Sequence, residues 1–439
     1  MLFDTLTVSA FTTLAKLMGA AKALVLARVF GSSAALDSYL LAFLLPSFLA
    51  DIFCGPLVPV LVPKLVELEF REGQAKTVAL YAHVLRRSLW FSCGAAAALA
   101  SVAAVVAMLG AEGGINLKLL GGLTLLMMPI LPLSAVANVW RAVLNSQSSF
   151  VIPALTVTLT PAVIILCILL AGRSHGVSIL AAGTSLASLA EVGVLGWGLR
   201  RVGFPILPHV RERDFSLLEV RSEYSYLAAT TALSAGTAFI AQWMAAALGA
   251  GSVSLLNYGT RLAGVLMAIG PGALSVTILP RFSYMVAAHD WERLKQSLVR
   301  ILFGSLVIAG IAAALLIVFS VPIVRLTLQQ GAFTAADTRI VASVQACSLL
   351  QLPFIVGMTI LMRVLSALKA NRILLPFSSV ALVVSTGLTY VLMTHYGVAG
   401  IALAASSVQI LLFAALAILV FRRGPRSFLK DCDAYAAAR

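Results

Sequence analysis

The residues ILFGSLVIAGIAAALLIVFS, at positions 301–320, contain no charged side chain. At a rise of about 1.5 Å per residue, a helix of this length crosses a hydrocarbon core of roughly 30 Å. Helices and closed barrels are the structures that satisfy their backbone hydrogen bonds in lipid, and this run is too long for a barrel strand. The stretch therefore predicts a transmembrane α-helix.

Similar apolar runs recur along the whole chain. Of 439 residues, 61% are hydrophobic and 11% are charged, whereas a soluble domain has about 25% charged residues. The first run carries Asp4, Lys16 and Lys22 and lacks a short apolar core with a cleavage site, so we interpret it as a retained helix. The sequence predicts an all-α polytopic membrane protein with about 12 transmembrane helices, at approximately 5–30, 35–63, 88–110, 119–140, 153–172, 177–199, 225–248, 253–280, 301–320, 340–362, 373–393 and 398–421.

The distribution of lysine and arginine predicts the orientation. Twelve spans place both termini on one side of the membrane, and 23 of the 31 basic residues fall in the loops and tail on that side, among them Arg141 after the fourth span. Basic residues are retained in short cytoplasmic loops. We therefore expect both termini to be cytoplasmic, in a bacterial cytoplasmic membrane.

The net charge of +14 and the pI near 10 do not indicate a nucleic-acid partner. Nucleic-acid binding needs a clustered basic face, whereas these charges are dispersed over short loops. Attraction to anionic membrane lipids is the better explanation of the excess. The five cysteines and five histidines have neither metal-ligand nor disulfide spacing, so we predict no metal and no cofactor.

The chain divides into two similar halves. A hydrophilic stretch follows the sixth span, and Gly31 is followed by Pro63 much as Gly249 is followed by Pro280. Parallel repeats of this kind are typical of transporters that bind substrate near the midplane between their halves. We predict two pseudo-symmetric six-helix lobes at 1–200 and 225–422, a cytoplasmic linker at 201–224 and a cytoplasmic tail at 423–439.

Charged residues inside the predicted spans are the strongest functional signal. A central charge costs about 2.5–3.5 kcal/mol on insertion scales, so such residues usually face an interior path. Lys16 and Lys22 share a face only where the helix bends, and Gly19 is the candidate for that bend. Cations on such a path indicate an anionic substrate, typically a phosphate or pyrophosphate; the alternative is a structural ion pair with an acidic residue. The charges within or at the ends of spans are Lys16, Lys22, Arg28, Asp37, Asp51, Glu191 and Arg261.

Four motifs resemble the MurJ/MviN lipid II flippases of the MOP (multidrug/oligosaccharidyl-lipid/polysaccharide) exporter superfamily. They keep the family's order and touch both halves of the chain. They are LAKLMGAAKALVLARVFGSSAALDSYLLAFLLPSF at 14–48, AVLNSQSSFVIPAL at 142–155, NYGTRL at 257–262 with LPRFS at 279–283, and QQGAFTAADT at 329–338.

The resemblance implies a MOP/MATE-like fold and a flippase. It implies that an undecaprenyl-pyrophosphate-linked saccharide moves from the inner to the outer leaflet by alternating access, coupled to Na⁺, H⁺ or the membrane potential, with cell-envelope biosynthesis proteins as further partners. Lys16, Lys22 and Arg261 would then bind the pyrophosphate in a central cavity, with Arg28 and Asp37 at the outer mouth.

The sequence departs from the family pattern at several positions. Lysine stands at Lys16 and Lys22 where the family has arginine, and Ala50-Asp51 replaces a pair of arginines. Two further C-terminal helices of the peptidoglycan flippases are not among the twelve spans. We therefore expect Asp51 to lie in the cavity, and the substrate to be lipid II or a related cell-envelope or exopolysaccharide precursor.

Three other functions stay open at this point. Asp51 and Glu191 are compatible with a cation-coupled multidrug antiporter of the same superfamily, in which Glu191 would be a proton or cation site. A partner-bound membrane scaffold is a second alternative. A membrane enzyme is the third and the least favoured, because the sequence shows no paired carboxylates or nucleophile motif at the membrane surface, so we predict that the protein is not an enzyme.

Overall fold

The computed structural model describes residues 2–109, 116–206, 218–267, 290–368 and 374–437, together with isolated positions between 278 and 288. These residues are almost entirely helical. In chain order the helices are α1 (Leu2–Phe30), α2 (Ala34–Cys54), α3 (Leu57–Glu72), α4 (Gln74–Leu109), α5 (Leu117–Met127), α6 (Ile130–Ser146), α7 (Val151–His175), α8 (Ser178–Arg201), α9 (Leu218–Ala246), α10 (Ser252–Met267), α11 (Trp291–Val318), α12 (Ser320–Leu328), α13 (Ala335–Leu349), α14 (Leu352–Ala367) and α15 (Leu374–Ala437).

Eight stretches in these ranges are long and apolar enough to cross a membrane, and α15 alone contains two of the predicted spans. Helix α1 is not among the eight, in keeping with the basic residues it carries. Helix α10 is described only as far as Met267, so residues 268–277, 279 and 280 of the predicted span 253–280, including Pro271 and Pro280, lie outside the described residues.

Proline explains why single predicted spans appear as two helices. Pro56 lacks a backbone N–H and separates α2 from α3, and Pro129 separates α5 from α6 in the same way. Pro353 lies in the first turn of α14, directly after the break from α13. Each pair still forms one continuous apolar stretch, from Ala34 to Glu72, from Leu117 to Ser146 and from Ala335 to Ser366.

Helix α15 reverses direction near Gly397. This glycine has φ +56°, a left-handed conformation that glycine adopts without strain. A Cβ on Gly400 would overlap the carbonyl oxygen of Leu392, although eight residues of straight helix would separate these positions by about 12 Å. The element is therefore a tight hairpin of two helices, which correspond to the predicted spans 373–393 and 398–421.

The contacts divide the chain into two units, Met1–Ser254 and Leu255–Arg439. The core of the first unit is formed by residues of α3, α4, α6 and α8 with Phe204, and Tyr81 and Leu144 are among its buried members. The core of the second unit joins α11, α14 and α15 with Phe282. Helix α9 belongs to the first unit because it packs on α2 and α3, whereas the sequence analysis assigns it to the second lobe. The predicted lobes rest on repeats along the chain, which a division by contacts does not test, so they stay a prediction.

Candidate functional site

Helix α1 carries three of the predicted cations. Lys16 is exposed, Lys22 is half-buried, and Arg28 is exposed in the last turn. The helix runs without interruption from Leu2 to Phe30 and packs against α7. The predicted bend at Gly19 stays a prediction, since a continuous helix can still curve.

Asp37 joins the start of α2 to the turn between α9 and α10. Its side chain is 6% exposed. One carboxylate oxygen accepts a hydrogen bond from the Gly251 backbone N–H at 2.6 Å, and the other accepts one from the Ser254 N–H at 2.7 Å. A carboxylate is stabilised here because the first N–H groups of a helix have no partner within the helix and carry a partial positive charge. Asp37 therefore caps the N-terminus of α10.

The turns that Asp37 connects approach each other closely. Gly251 has φ +89°, and a Cβ at this position would lie 2.7 Å from the Ser32 carbonyl oxygen. Gly31, which ends α1, has φ +57°, and Ser33 caps α2 by accepting a hydrogen bond from the Leu36 N–H. The turn before α2 and the turn before α10 thus form one packed structure within the first unit.

A cavity of 260 Å³ opens beside this contact. Its residues come from the first two turns of α2 and from the α9–α10 turn, and Asp37 and Ser38 are its polar side chains. The lining residues are Ala34, Asp37, Ser38, Leu41, Ala246, Ala247, Gly249, Ala250 and Val253.

Asp51 lies one turn before the break between α2 and α3 and is exposed. No ion pair to its carboxylate occurs within the ranges that the structure describes. A carboxylate inside an apolar stretch that runs from Ala34 to Glu72 is costly unless it faces water. The position therefore indicates a polar surface along this part of α2.

Glu191 of α8 forms an ion pair with Arg141 of α6. The two side chains are 14% and 24% exposed, and the Nε atom of Arg141 is buried without a hydrogen-bond partner among the described residues. Arg141, predicted to follow the fourth span, lies within α6, which continues to Ser146, so it is helical and not in a loop. Its predicted cytoplasmic side stays a prediction. The predicted role of Glu191 as a proton or cation site stays a prediction, and the residue has a basic partner on a neighbouring helix.

A hydrogen-bond network holds α6 next to this ion pair. The indole N–H of Trp140 donates to the Tyr81 hydroxyl at 2.9 Å, and that hydroxyl donates to the carbonyl oxygens of Pro205 and Ile206. These bonds fix α6 to α4 and to the segment that follows α8. The orientation of Arg141, the next residue along α6, is thereby restricted.

Arg261 lies in the second unit, exposed on α10. Its Nε atom donates to the Asn257 side-chain oxygen at 2.9 Å, one turn earlier on the same helix. The intervening Gly259 packs against α13, since a Cβ there would lie 2.5 Å from a methyl carbon of Val344. The NYGTRL motif therefore combines an oriented arginine with a close helix contact.

The structure thus joins some predicted site residues to unexpected partners. Asp37 binds backbone groups of Gly251 and Ser254, and Glu191 binds Arg141; the sequence analysis names none of these partners. In the QQGAFTAADT motif, Thr334 and Asp337 form a reciprocal capping box at the start of α13. Helix capping therefore accounts for these two residues of the motif. Among the described residues, no group of three or more His, Cys, Asp or Glu side chains is arranged to hold a metal.

Comparisons with protein families and with curated proteins both match this chain to lipid II flippases of the MurJ family. The model of the family described as lipid II flippase MurJ matches residues 26–437. The lipid II flippase MurJ of Burkholderia cenocepacia is 28% identical over 354 residues, which cover 77% of this chain and 67% of that protein. A probable lipid II flippase MurJ of Synechocystis is 24% identical over 307 residues, covering 65% of this chain and 56% of that protein.

Solved structures establish the fold. A lipid II flippase MurJ in an inward closed conformation superimposes with a TM-score of 0.78 at 20% identity, covering 96% of this chain and 89% of that chain. An inward-facing multidrug resistance MATE transporter of the MOP superfamily gives the same TM-score at 12% identity, covering 97% and 99%. The predicted all-α, MOP/MATE-like membrane fold is therefore confirmed.

Proposed function

Because this chain belongs to the lipid II flippase MurJ family, we propose that it translocates an undecaprenyl-pyrophosphate-linked saccharide from the inner to the outer leaflet of a bacterial cytoplasmic membrane. The substrate is lipid II or a related cell-envelope or exopolysaccharide precursor. The observation that carries this proposal is the family match over residues 26–437, which includes three of the four motifs in full. The fourth, at 14–48, enters the match at Leu26 and contributes Arg28 and Asp37.

The proposed substrate contacts are made by Lys16, Lys22 and Arg261. Lysine and arginine are the usual partners of phosphate, and an arginine can present two parallel N–H donors to one group. Arg261 is already oriented by Asn257, which reduces the conformational entropy lost on binding. Lysine at positions 16 and 22 supplies point charges, which fit a diphosphate without fixing its orientation.

We propose that Asp37 and Arg28 act at the outer mouth. Asp37 contributes by holding the α2 and α10 N-terminal turns together through two backbone hydrogen bonds. Transport by alternating access requires such contacts to break and re-form in each cycle. Coupling to Na⁺ or H⁺ belongs to the same proposal, as do cytoplasmic termini and partners among cell-envelope biosynthesis proteins.

The proposal is tested with the full-length protein in proteoliposomes. Leaflet exchange of a fluorescent undecaprenyl-pyrophosphate-linked saccharide should depend on the protein, and Lys16→Ala and Arg261→Ala should each slow it by about tenfold, the loss of one charge-assisted contact. Arg325→Ala, which removes an exposed arginine at the end of α12, is the matched control and should leave the rate unchanged. Exchange that is absent for every such lipid, or insensitive to both substitutions, would refute the proposal.

A cation-coupled antiporter of organic cations is the second candidate function. It is favoured by one observation, the exposed carboxylate of Asp51 in an apolar helix, which has no ion pair to any of the residues that the structure describes. Counterflow of an organic cation against protons or sodium, in the same proteoliposomes and without lipid exchange, would support it over the flippase.

A further inference from the structure

The faces of α2 on either side of Asp51 are closed by neighbouring helices. Ala50 is buried in a cluster with Leu99 and Leu131, and the Phe53 ring contacts the Phe91 ring at a centroid distance of 4.7 Å. These contacts attach α2 to α4 and α6. The carboxylate of Asp51 points away from them, since its side chain is exposed.

Aromatic rings lie one turn from Asp51 on its open side. Phe48, three residues earlier, is a neighbour of Asp51 on the helix surface. The Phe48 ring contacts the Phe239 ring of α9 at 4.9 Å, and Phe239 is stacked parallel to Trp243 at 6.4 Å. Trp243 is 60% exposed, so this row of rings is accessible from outside the first unit.

Tyr224 of α9 makes a contact with α2 on the C-terminal side of Asp51. Its hydroxyl donates to the Phe53 carbonyl oxygen at 2.7 Å, beside the break that Pro56 introduces into the helix. That bond satisfies a carbonyl group at the break and holds α9 against α2. Asp51 therefore lies between two α2–α9 contacts, at Phe48 and at Phe53, on a surface that has both a carboxylate and aromatic faces.

We propose that Asp51, together with the Phe48–Phe239 ring pair, binds an organic ammonium group. A carboxylate supplies the charge-assisted hydrogen bond, and the negative face of an aromatic ring attracts a cation within about 6 Å of its centroid. A small hydrated metal ion would need more oxygen ligands than this surface offers. The ammonium group belongs either to the saccharide or peptide headgroup of the transported lipid or to a free amine.

The amine site itself does not depend on the proposed function. The inference rests on the proposed function only where it assigns the amine to the headgroup of the transported lipid. If the protein translocates such a lipid, it contacts the headgroup in two ways: its basic side chains bind the pyrophosphate, and Asp51 binds an amine elsewhere in the headgroup. The carboxylate of Asp51 is then a determinant of substrate specificity.

The first experiment measures equilibrium binding of a radiolabelled primary amine, phenethylamine, to the full-length protein in lipid nanodiscs. Asp51→Asn keeps the shape of the side chain and should weaken binding by about tenfold. Phe48→Leu keeps the apolar volume and should weaken it by roughly threefold. Glu67→Gln, which neutralises another partly exposed carboxylate on the same apolar stretch, should leave the affinity unchanged. Wild-type affinity in Asp51→Asn, or equal losses in all three variants, would overturn the inference.

The second experiment distinguishes the two sources of the amine. Flipping is compared for an undecaprenyl-pyrophosphate-linked saccharide with a free amine and for the same lipid after acetylation. A wild-type preference for the free amine that is lost in Asp51→Asn assigns the site to the headgroup. Equal rates for both lipids, with phenethylamine binding still dependent on Asp51, assign it to a free amine. Absence of flipping for both lipids contradicts the proposed function, while the binding measurement still decides the role of Asp51.

Discussion

Asp37→Ala removes both acceptors that the structure gives to the backbone N–H groups of Gly251 and Ser254. The two hydrogen bonds are 2.6 and 2.7 Å long, and the carboxylate that accepts them is 6% exposed. Ser254 itself is fully buried, so water cannot readily replace the lost partner. The substitution should therefore destabilise the turn between α9 and α10 and its attachment to α2.

The magnitude follows from the two contacts. A hydrogen bond to a charged group contributes about 1.5–3 kcal/mol net. Two such bonds, taken at the low end because alanine also removes the cost of burying the carboxylate, amount to about 3 kcal/mol. In a domain of 150–250 residues each kcal/mol lowers the melting temperature by roughly 2–4 °C, which predicts a loss of about 6–12 °C for the first unit.

The assay is thermal unfolding of the purified full-length protein, followed by intrinsic fluorescence in one detergent. Ser33→Ala is the matched control, because it removes a single neutral capping bond of 3.3 Å from the same turn and should cost only about 1 kcal/mol. Asp37→Asn, which keeps one acceptor oxygen, should fall between the two. A melting temperature for Asp37→Ala no lower than that of Ser33→Ala would refute the assigned role of the carboxylate.

Two further predictions use the same unfolding assay. Glu191→Ala should cost about 3 kcal/mol because it removes the acidic partner of the partly buried Arg141 guanidinium, and the double variant Arg141→Met with Glu191→Leu should recover most of that loss; a double variant no more stable than the single one would contradict this. Gly259→Ala should cost about 1–3 kcal/mol because its new methyl group would overlap the side chain of Val344. Adding Val344→Gly, which removes both the Cβ at 2.7 Å and the methyl carbon at 2.5 Å, should relieve that overlap, and persistence of the full loss would point to a different cause.

Features that depend on local sequence were predictable from the chain alone. The charge-free run at 301–320 lies within α11 apart from its last two residues, because hydropathy and length suffice to specify a membrane helix. Proline is a weaker guide, because helices break at Pro56 and Pro129, inside the predicted spans 35–63 and 119–140, whereas Pro46, Pro63 and Pro161 lie inside helices. Gly31 and Gly249, paired in the proposed repeat, both have positive φ.

Features that depend on tertiary packing were not predictable. Asp37 acts on Gly251 and Ser254, more than two hundred residues away, and no spacing rule connects an aspartate to distant backbone N–H groups. A hydropathy window ends at the first charge and so places Arg141 after the span, whereas Arg141 lies inside α6 and pairs with Glu191 of α8, a partner that the window cannot see. The roles of Lys16, Lys22 and Arg261 in binding remain predictions.

The hairpin at Gly397 has a consequence for how the protein is made. Its two helices are joined by a turn with no loop and no Asp, Glu, Lys or Arg between Leu374 and Val420, so the ribosome delivers them as one continuous apolar segment. We do not expect the first helix to insert into the bilayer alone. The second helix follows directly in the chain, and the turn is too short to let the two helices lie apart. We therefore expect the two helices to enter the membrane together as one hairpin, with the reversal at Gly397.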